Sequence, residues 1–266
     1  EQGTGSDDRR HKFQLSDTAF PSPRLLNILR FSFERRNKRL GNPADSPAIQ
    51  VKGAFTGGPS QSAQADEETR LELQDVAAYT RGAHSLRFGG GFRPRFFDFT
   101  DATNFGGTFV FSNLSSFAAR RPILFQVIQG EPAVSFRRYE AYGFFQDEVK
   151  INPHITLMTG VRYDWQAEMN HDRNFAPRLA LAFAPGNKKT VLRAGAGIFY
   201  DRLPETAVER SILLDGIHAR EFVIRHPAFP NPFSGAGPPA SPSVWRLAPD
   251  IQAPYYSQAS LGLERR

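Results

Sequence analysis

Arginines form the chemically most informative set of residues in this chain. Where polar and apolar residues alternate, six arginines fall on the polar side: Arg30, Arg87, Arg93, Arg162, Arg178 and Arg193. A guanidinium presents its donors in a planar fork that matches carboxylate oxygens. The pattern predicts that these arginines bind either acidic side chains such as Glu34, Asp164 and Glu264, or an anionic solute. Pairing within the chain is the simpler interpretation, because charges lining a water-filled interior usually pair with one another.

No set of residues predicts catalysis, a metal site or a bound cofactor. The sequence contains no cysteine, which removes thiolate ligands and thiol nucleophiles. Its histidines lack the spacing of metal ligands: His11, His84, His154, His171, His218 and His226. Asp164, Glu168 and Asp172 have helical spacing but fall at a strand end and in a loop, which disfavours acid–base chemistry. We therefore expect no enzyme activity, no metal and no cofactor.

The elements that carry the arginines are predicted to be long β-strands. From Ile155 to Trp165 the side chains alternate between an apolar face and a polar face that includes Arg162. About eleven residues, at about 3.3 Å per residue and a tilt near 40°, span about 25 Å, the height of the apolar band of an outer-membrane barrel. The alternation recurs over 175–184 and 191–200. It predicts that Arg162, Arg178 and Arg193 lie on the concave side, and that these residues face lipid: Leu157, Val161, Leu179, Leu181, Leu192, Ile198 and Leu261.

The connections between the strands alternate between short and long. Short turns are predicted at 20–23, 82–84, 152–154 and 185–188, and long polar loops at 37–68, 98–136, 166–174 and 202–254. Short turns on one rim and long loops on the other are typical of outer-membrane barrels. We expect an all-β fold in which residues 25–201 form an antiparallel up-and-down meander, each strand pairing with the next, as part of a transmembrane barrel that is incomplete in this chain.

Aromatic residues and loop sequences add detail to this prediction. Aromatics near the long loops predict an interfacial belt: Phe31, Phe33, Phe96, Phe97, Tyr139, Tyr163, Trp165, Phe199, Tyr200, Tyr255 and Tyr256. Residues 205–214 follow Pro204 and predict a short helix, and Ala54–Gly58 predicts a hairpin. The proline-rich stretch 226–254 predicts an extended external loop. A soluble β-sandwich that binds carbohydrate is the alternative for the same alternation.

Several segments, in order along the chain, resemble motifs of one protein family. Tyr142-Gly143-Phe144-Phe145-Gln146-Asp147-Glu148 resembles the strand YGxFxQD of TonB-dependent outer-membrane receptors, and Leu157-Met158-Thr159-Gly160-Val161-Arg162-Tyr163 resembles their LxxGxRY. Further segments are similar to strands or loops of the family: 26–33, 84–90, 175–179, 191–201, 226–233 and 258–265. The set covers most of residues 24–266. It is most similar to the Oar-like branch, whose members carry an N-terminal carboxypeptidase-regulatory-like domain.

The resemblance implies a function and a set of partners. Receptors of this family are barrels of about 22 strands with a plugged interior, and they import a scarce solute when TonB pulls the plug. About nine long strands are predicted here, so we interpret residues 1–266 as a partial barrel domain, without signal peptide, plug or the remaining strands. The implied partners are outer-membrane lipid, the plug, the TonB complex and an unknown small solute, glycan or peptide. The implied location is the outer membrane of a Gram-negative bacterium. A passive or adhesive barrel without energy coupling is the alternative.

Composition is compatible with this interpretation. The chain has 33 Lys and Arg against 27 Asp and Glu, a formal net charge of +6. No basic helix or zinc knuckle accompanies that charge, so nucleic acid is not expected as a partner. No apolar run is long enough to predict a transmembrane helix. The mean hydropathy of -0.43 does not exclude a barrel, because every second strand residue faces its interior.

Overall fold

The computed structural model describes residues 5–41, 44–169, 173–187, 189–234 and 242–265. The predicted turn and loop residues His171, Asp172, Lys188, Pro238 and Pro239 lie outside these ranges. The described residues form mostly strands, together with two short helices.

Nine long strands form one antiparallel sheet in the order β1-β2-β5-β6-β9-β10-β11-β12-β14. Their bounds are β1 (Ser6–Ser22), β2 (Leu25–Leu40), β5 (Gln64–Arg81), β6 (His84–Asp101), β9 (Ala133–Asn152), β10 (Ile155–Gln166), β11 (Phe175–Phe183), β12 (Thr190–Tyr200) and β14 (Tyr255–Arg265). Each pairs with the next long strand along the chain, which confirms the predicted up-and-down meander. Within the described residues β1 and β14 do not pair with each other, so the sheet is an open arc, consistent with an incomplete barrel.

Side chains alternate across this sheet in one consistent register. Leu181 of β11 lies opposite Leu157 of β10 on one side and Ala194 of β12 on the other, and Ala194 lies opposite Leu261 of β14. Directly opposed residues share a face, so these residues belong to one apolar surface, which we call the outer face. Arg178 precedes Leu179 in β11 and therefore lies on the opposite, inner face.

The long strands extend farther than the sequence indicates. β2 continues to Leu40 and β5 begins at Gln64, so the loop predicted at 37–68 is reduced to 41–63. The loop predicted at 98–136 is likewise reduced to 102–132. Opposite charges lie across adjacent strands in the extended part of β2: Nη2 of Arg36 lies 2.6 Å from Oδ2 of Asp8 in β1, and Arg35 forms an ion pair with Glu67 in β5.

Short strands within the loops form a second sheet of five strands in the order β13-β8-β7-β3-β4. Their bounds are β3 (Ala48–Val51), β4 (Phe55–Gly57), β7 (Thr108–Phe111), β8 (Leu124–Gly130) and β13 (Ala219–Arg225). β3 and β4 form the predicted hairpin. β3 pairs in parallel with β7, so the expectation that residues 25–201 contain only antiparallel, sequential pairs is wrong for the loops. The sheet is held by a buried apolar core of Val51, Phe109, Phe111, Phe125 and Val127.

Two helices accompany the loop sheet. α1 (Leu114–Ala118) begins after Asn113, whose side chain accepts a 2.8 Å hydrogen bond from the backbone N–H of Ser116. α2 (Glu205–Leu213) begins after Pro204, as predicted. Leu213 packs in a buried cluster with Phe99 of β6, so α2 lies against the end of the long sheet nearest the loops. Neither helix in the described part of the chain is long and apolar enough to cross a membrane.

Candidate functional site

The strand register places the six predicted arginines on the inner face. Their opposed residues, in sequence order, are Gln74, Gln146, Glu140, Ala176, Gly197 and Gly262. Arg87 and Arg178 lie in one row across the sheet, linked through Gln146 and Gly160. Because opposed residues share a face, one polar wall carries all six guanidinium groups.

Tyr142 of β9 lies on this wall between two of the arginines. Cζ of Arg162 is 4.1 Å from the centroid of the Tyr142 ring, and Cζ of Arg93 is 4.8 Å from it. The Tyr142 hydroxyl accepts a 2.7 Å hydrogen bond from Nε2 of Gln74. Cations over an aromatic face are attracted by the ring quadrupole, so Tyr142 holds Arg93 and Arg162 in place on the inner face.

Three of the six arginines bind a carboxylate of the chain. Arg162 contacts both carboxylate oxygens of Asp164, at 2.7 Å each. The other two pairs are Nε of Arg93 with Oε1 of Glu72 at 2.7 Å, and Nε of Arg193 with Oε1 of Glu264 at 3.2 Å. The interpretation that the arginines pair within the chain therefore holds for this half of the set, including the predicted partners Asp164 and Glu264.

The other three arginines have no carboxylate partner within the described ranges. Arg30 makes a 3.4 Å hydrogen bond to Oε1 of Gln74. The guanidinium of Arg178 stacks over the ring of Phe199, 4.6 Å from its centroid, and its buried Nε finds no hydrogen-bond partner in the described residues. The side chain of Arg87 forms neither an ion pair nor a hydrogen bond with the described residues. The third predicted acid, Glu34, instead lies 3.5 Å from Nε of Arg10.

Two adjoining cavities on the inner face share Tyr142, Arg162 and Arg178 in their walls. The upper cavity, nearer the long loops, has a volume of about 370 Å³ and is also lined by Asp164, Asp201 and Arg202. The lower cavity, nearer the short turns, has a volume of about 300 Å³ and is also lined by Arg87. The sequence-predicted arginines are therefore brought together around these two cavities, apart from Arg30 and Arg193, which line neither.

A buried group of charged side chains was not predicted from the sequence. It comprises Glu68, Arg95, Arg138 and Glu140, whose exposures are 5, 2, 1 and 4 %; we call it the buried ion cluster. Nη2 of Arg95 lies 2.6 Å from Oε1 of Glu68. Removing such charges from water is costly unless each is paired and hydrogen-bonded. The period of two could have identified Arg95, which lies two residues after Arg93 on the same face.

The buried ion cluster holds the segment that contains α2 against the inner face. Arg95 forms an ion pair with Glu205, the first residue of α2. Nη2 of Arg138 donates a 3.2 Å hydrogen bond to the carbonyl of Leu203, and Nε of Arg202 lies 3.2 Å from Glu140. The buried ion cluster comes from three long strands, and its contacts reach one loop segment, so the loop between β12 and β14 is attached inside the arc, near its mouth.

One carboxyl on α2 is not neutralised by this arrangement. Burial raises the pKa of Glu209 to about 7, and the nearby carboxylates of Asp66, Glu205 and Asp101 contribute in the same direction. These four acids line a cavity of about 620 Å³ between α2 and the end of the long sheet, together with Lys38. We therefore expect docking of α2 to favour the protonated form of Glu209.

The predicted aromatic belt is correct only in part. Phe97, Phe199 and Tyr256 lie on the inner face by register, because they are opposed to inner residues or to one another. Phe97 is 2 % exposed and stacks on Phe136, 4.6 Å between ring centroids. Consecutive aromatic residues such as Phe96 and Phe97 cannot share a face of a strand. One residue of each such pair therefore had to point inward.

The inner face carries polar and aromatic groups around its two cavities. It offers guanidinium groups, a phenol, amides and aromatic faces around water-accessible cavities. Among the described residues, no group of three or more His, Asp and Glu side chains could hold a metal ion.

Comparisons with known proteins agree with this architecture. The family model described as "Outer membrane beta barrel domain" matches residues 1–174 and 168–266. The crystal structure of the outer membrane transporter YddB from Escherichia coli superposes with a TM-score of 0.68 at 13 % identity, over 99 % of this chain and 32 % of that one. The siderophore receptor PirA from Pseudomonas aeruginosa gives a TM-score of 0.41 at 10 % identity, over 97 % of this chain and 43 % of that one, which is too low to support an argument. No curated protein sequence matches the chain.

The chain spans about a third of the length of the E. coli transporter, since 32 % of that chain is covered. At 13 % identity the likeness to that structure shows the fold alone. The family match covers both halves of the sequence. The protein is located in the outer membrane of a Gram-negative bacterium, where lipid surrounds the outer face. The chain therefore belongs to the outer membrane β-barrel domain family.

Proposed function

We propose that this chain is a wall segment of a TonB-dependent outer-membrane receptor that imports a scarce solute. The assignment to TonB-dependent receptors rests on the ordered motifs, above all Tyr142–Glu148 and Leu157–Tyr163, and on their similarity to the Oar-like branch. The same resemblance supports an N-terminal carboxypeptidase-regulatory-like domain, a plug and a TonB contact in the longer protein. The proposal includes no chemical step on the solute and no nucleic-acid partner.

The observation that carries the proposal is the covered inner face. The segment around α2 is attached inside the arc by Arg95 and Arg138, and the loop sheet adds a packed layer to the same end. An open diffusion pore needs an unobstructed interior, whereas a receptor needs a mouth that captures and then releases its solute. The docked helix supports the second arrangement, because it occupies the inner face while leaving cavities beside it.

Two measurements on the full-length protein test the proposal without knowledge of the solute. The first is binding of the purified periplasmic domain of TonB, and the second is ion conductance in planar lipid bilayers. We expect saturable binding of the TonB domain and no steady conductance. Steady conductance without TonB binding would assign a passive pore, and the absence of both would assign an adhesive barrel; either result contradicts energy-coupled import.

A further inference from the structure

The lower cavity on the inner face is lined by arginines without any acidic residue. The charged residues in its wall are Arg87, Arg162 and Arg178. The remaining lining residues are neutral: Gln74, Val76, Tyr142, Phe144, Phe145, Gln146, Gly160 and Val161. Arg162 is neutralised by Asp164 outside this cavity. Two guanidinium groups, those of Arg87 and Arg178, therefore leave this cavity with uncompensated positive charge.

We infer that the lower cavity is a binding site for a carboxylate or phosphate group, held between Arg87 and Arg178. The inference rests on the proposed function in one respect, because it names the class of group that the receptor interior would take. The binding site itself is independent of energy coupling. Its basis is the pairing pattern, since the other arginines that line these two cavities already bind carboxylates.

The backbone between the two arginines leaves room for a ligand. Arg87 and Arg178 are separated in their row by Gln146 and Gly160. Gly160 carries no side chain, so no group at that position fills the row between the two arginines. Two strands lie between Arg87 and Arg178, which separates their Cα atoms by about 14 Å, from a strand spacing of about 4.8 Å. The Arg178 guanidinium stacks over Phe199 of β12, on the side away from Arg87, so holding one group between both arginines requires the Arg178 side chain to turn back over Gly160.

The polar groups around the cavity fit an oxyanion. Arginine forks match the paired oxygens of carboxylate and phosphate. Neither guanidinium has a carboxylate partner in the described part of the chain, so the oxygens of a bound anion would supply the missing acceptors. The amides of Gln74 and Gln146 can donate to further oxygens of the same ligand. The site can be filled by a free solute or by an acidic side chain from elsewhere in the longer protein, because both supply the same group.

Chemical modification of the full-length protein in detergent tests the inference and separates the two sources. Phenylglyoxal reacts with accessible guanidinium groups, and mass spectrometry reports the rate at each arginine, with citrate and inorganic phosphate as probes. For a free solute, we expect Arg87 and Arg178 to react quickly alone and at least tenfold more slowly with either probe. For an internal acidic side chain, we expect both to react slowly without probe, and Arg178 to react at least tenfold faster in the Arg87→Gln variant.

Matched variants control for general effects on the fold. Arg193→Gln also removes an inner-face arginine, but one that binds Glu264 and lines neither cavity, so it should leave the modification of Arg87 and Arg178 unchanged. Rapid modification of both arginines that neither probe slows would overturn the inference. So would probe protection that persists in both Arg87→Gln and Arg178→Gln. TonB binding and conductance are measured separately, so failure of the import proposal does not alter this result.

Discussion

The ring of Tyr142 occupies the space that a side chain at position 91 would need. A Cβ built on Gly91 would lie 2.7 Å from two carbon atoms of that ring and 2.8 Å from its hydroxyl oxygen. The two residues are directly opposed across β6 and β9. Glycine at position 91 therefore lets the ring lie flat against the sheet, where Arg93 and Arg162 stack over it.

Substituting Gly91→Ala should displace the Tyr142 ring and release both arginines. We expect a loss of about 1 to 3 kcal/mol in the free energy of unfolding, the usual range for overpacking. Gly195→Ala is the matched control, since a Cβ there meets no atom closer than 3.5 Å. Urea titration of the full-length protein in lipid vesicles gives both values. Equal stability of the two variants would contradict the account of Gly91.

Removing Arg95 should destabilise the protein far more than removing an exposed arginine. Arg95→Met leaves the buried carboxylates of Glu68 and Glu140 without this partner, and breaking a buried pair costs about 3 to 5 kcal/mol. Arg35→Met, which removes an exposed pair with Glu67, should cost less than about 1 kcal/mol. The measurement is the unfolding midpoint, together with limited proteolysis of 202–214, which should become rapid only in Arg95→Met.

Docking of α2 should weaken as the pH rises from about 4.5 to about 7. The docked pKa of Glu209, about 7, lies above that of an exposed glutamate, about 4.3. In this window the docked state holds a proton that the undocked state releases, so stability falls with increasing pH. Above pH 7 the loss is complete, at about 1 to 2 kcal/mol after allowance for solvent screening.

Hydrogen exchange over residues 205–213, corrected for intrinsic rates, measures this effect. Glu209→Gln should remove the pH dependence and strengthen protection at pH 8. The control Asp250→Asn changes an exposed carboxylate and should leave the profile unchanged. A pH dependence that survives in Glu209→Gln would assign the titration to another group.

Adjacent positions in β11 should respond oppositely to an introduced arginine. Leu179→Arg puts a charge on the outer face, where the cost near the bilayer midplane is about 2 to 4 kcal/mol. Ala180→Arg puts it on the inner face, where water solvates it and the cost should stay within about 1 kcal/mol. Folding yield into lipid vesicles, read from heat-modifiable gel mobility, compares them. Equal losses at both positions would contradict the assignment of the faces.

The alternation of the sequence predicted the long sheet because each side of a barrel strand contacts a different environment. Leu179 and Arg178 could be assigned to faces from neighbours in their own strand. The short turn predicted at 20–23 implied a strand before β2, but the sequence shows no apolar face over Ser6–Lys12, so the extent of β1 was not predicted. The parallel pairing of β3 with β7 was also missed. Nothing near Ala48–Val51 indicates that these residues pair with Thr108–Phe111, more than fifty positions away.

The candidate site was predictable only in its outline. Arg93 and Arg162 were assigned to the polar side from periodicity, but their contact with Tyr142 depends on the register of β6, β9 and β10, which the sequence does not specify. Arg138 follows Arg137, so one of the two had to face inward. Periodicity alone did not show that the inward residue is Arg138. The docking of α2 joins Glu205 to a strand more than a hundred residues earlier, a tertiary contact without a local signal.

The arginine-bearing face should line the water-filled interior, and the leucine-bearing face should contact lipid. The 266 residues contain no cysteine. With any cysteine elsewhere in the full-length protein replaced by serine, single substitutions Ala194→Cys and Gly195→Cys, on the outer and inner faces of β12, can be labelled selectively with a bimane fluorophore. In vesicles of the full-length protein, lipids with brominated acyl chains should quench the label at position 194 and leave that at position 195 unquenched, while aqueous iodide should do the reverse. Lipid quenching at position 195 that equals or exceeds the quenching at position 194 would contradict the account.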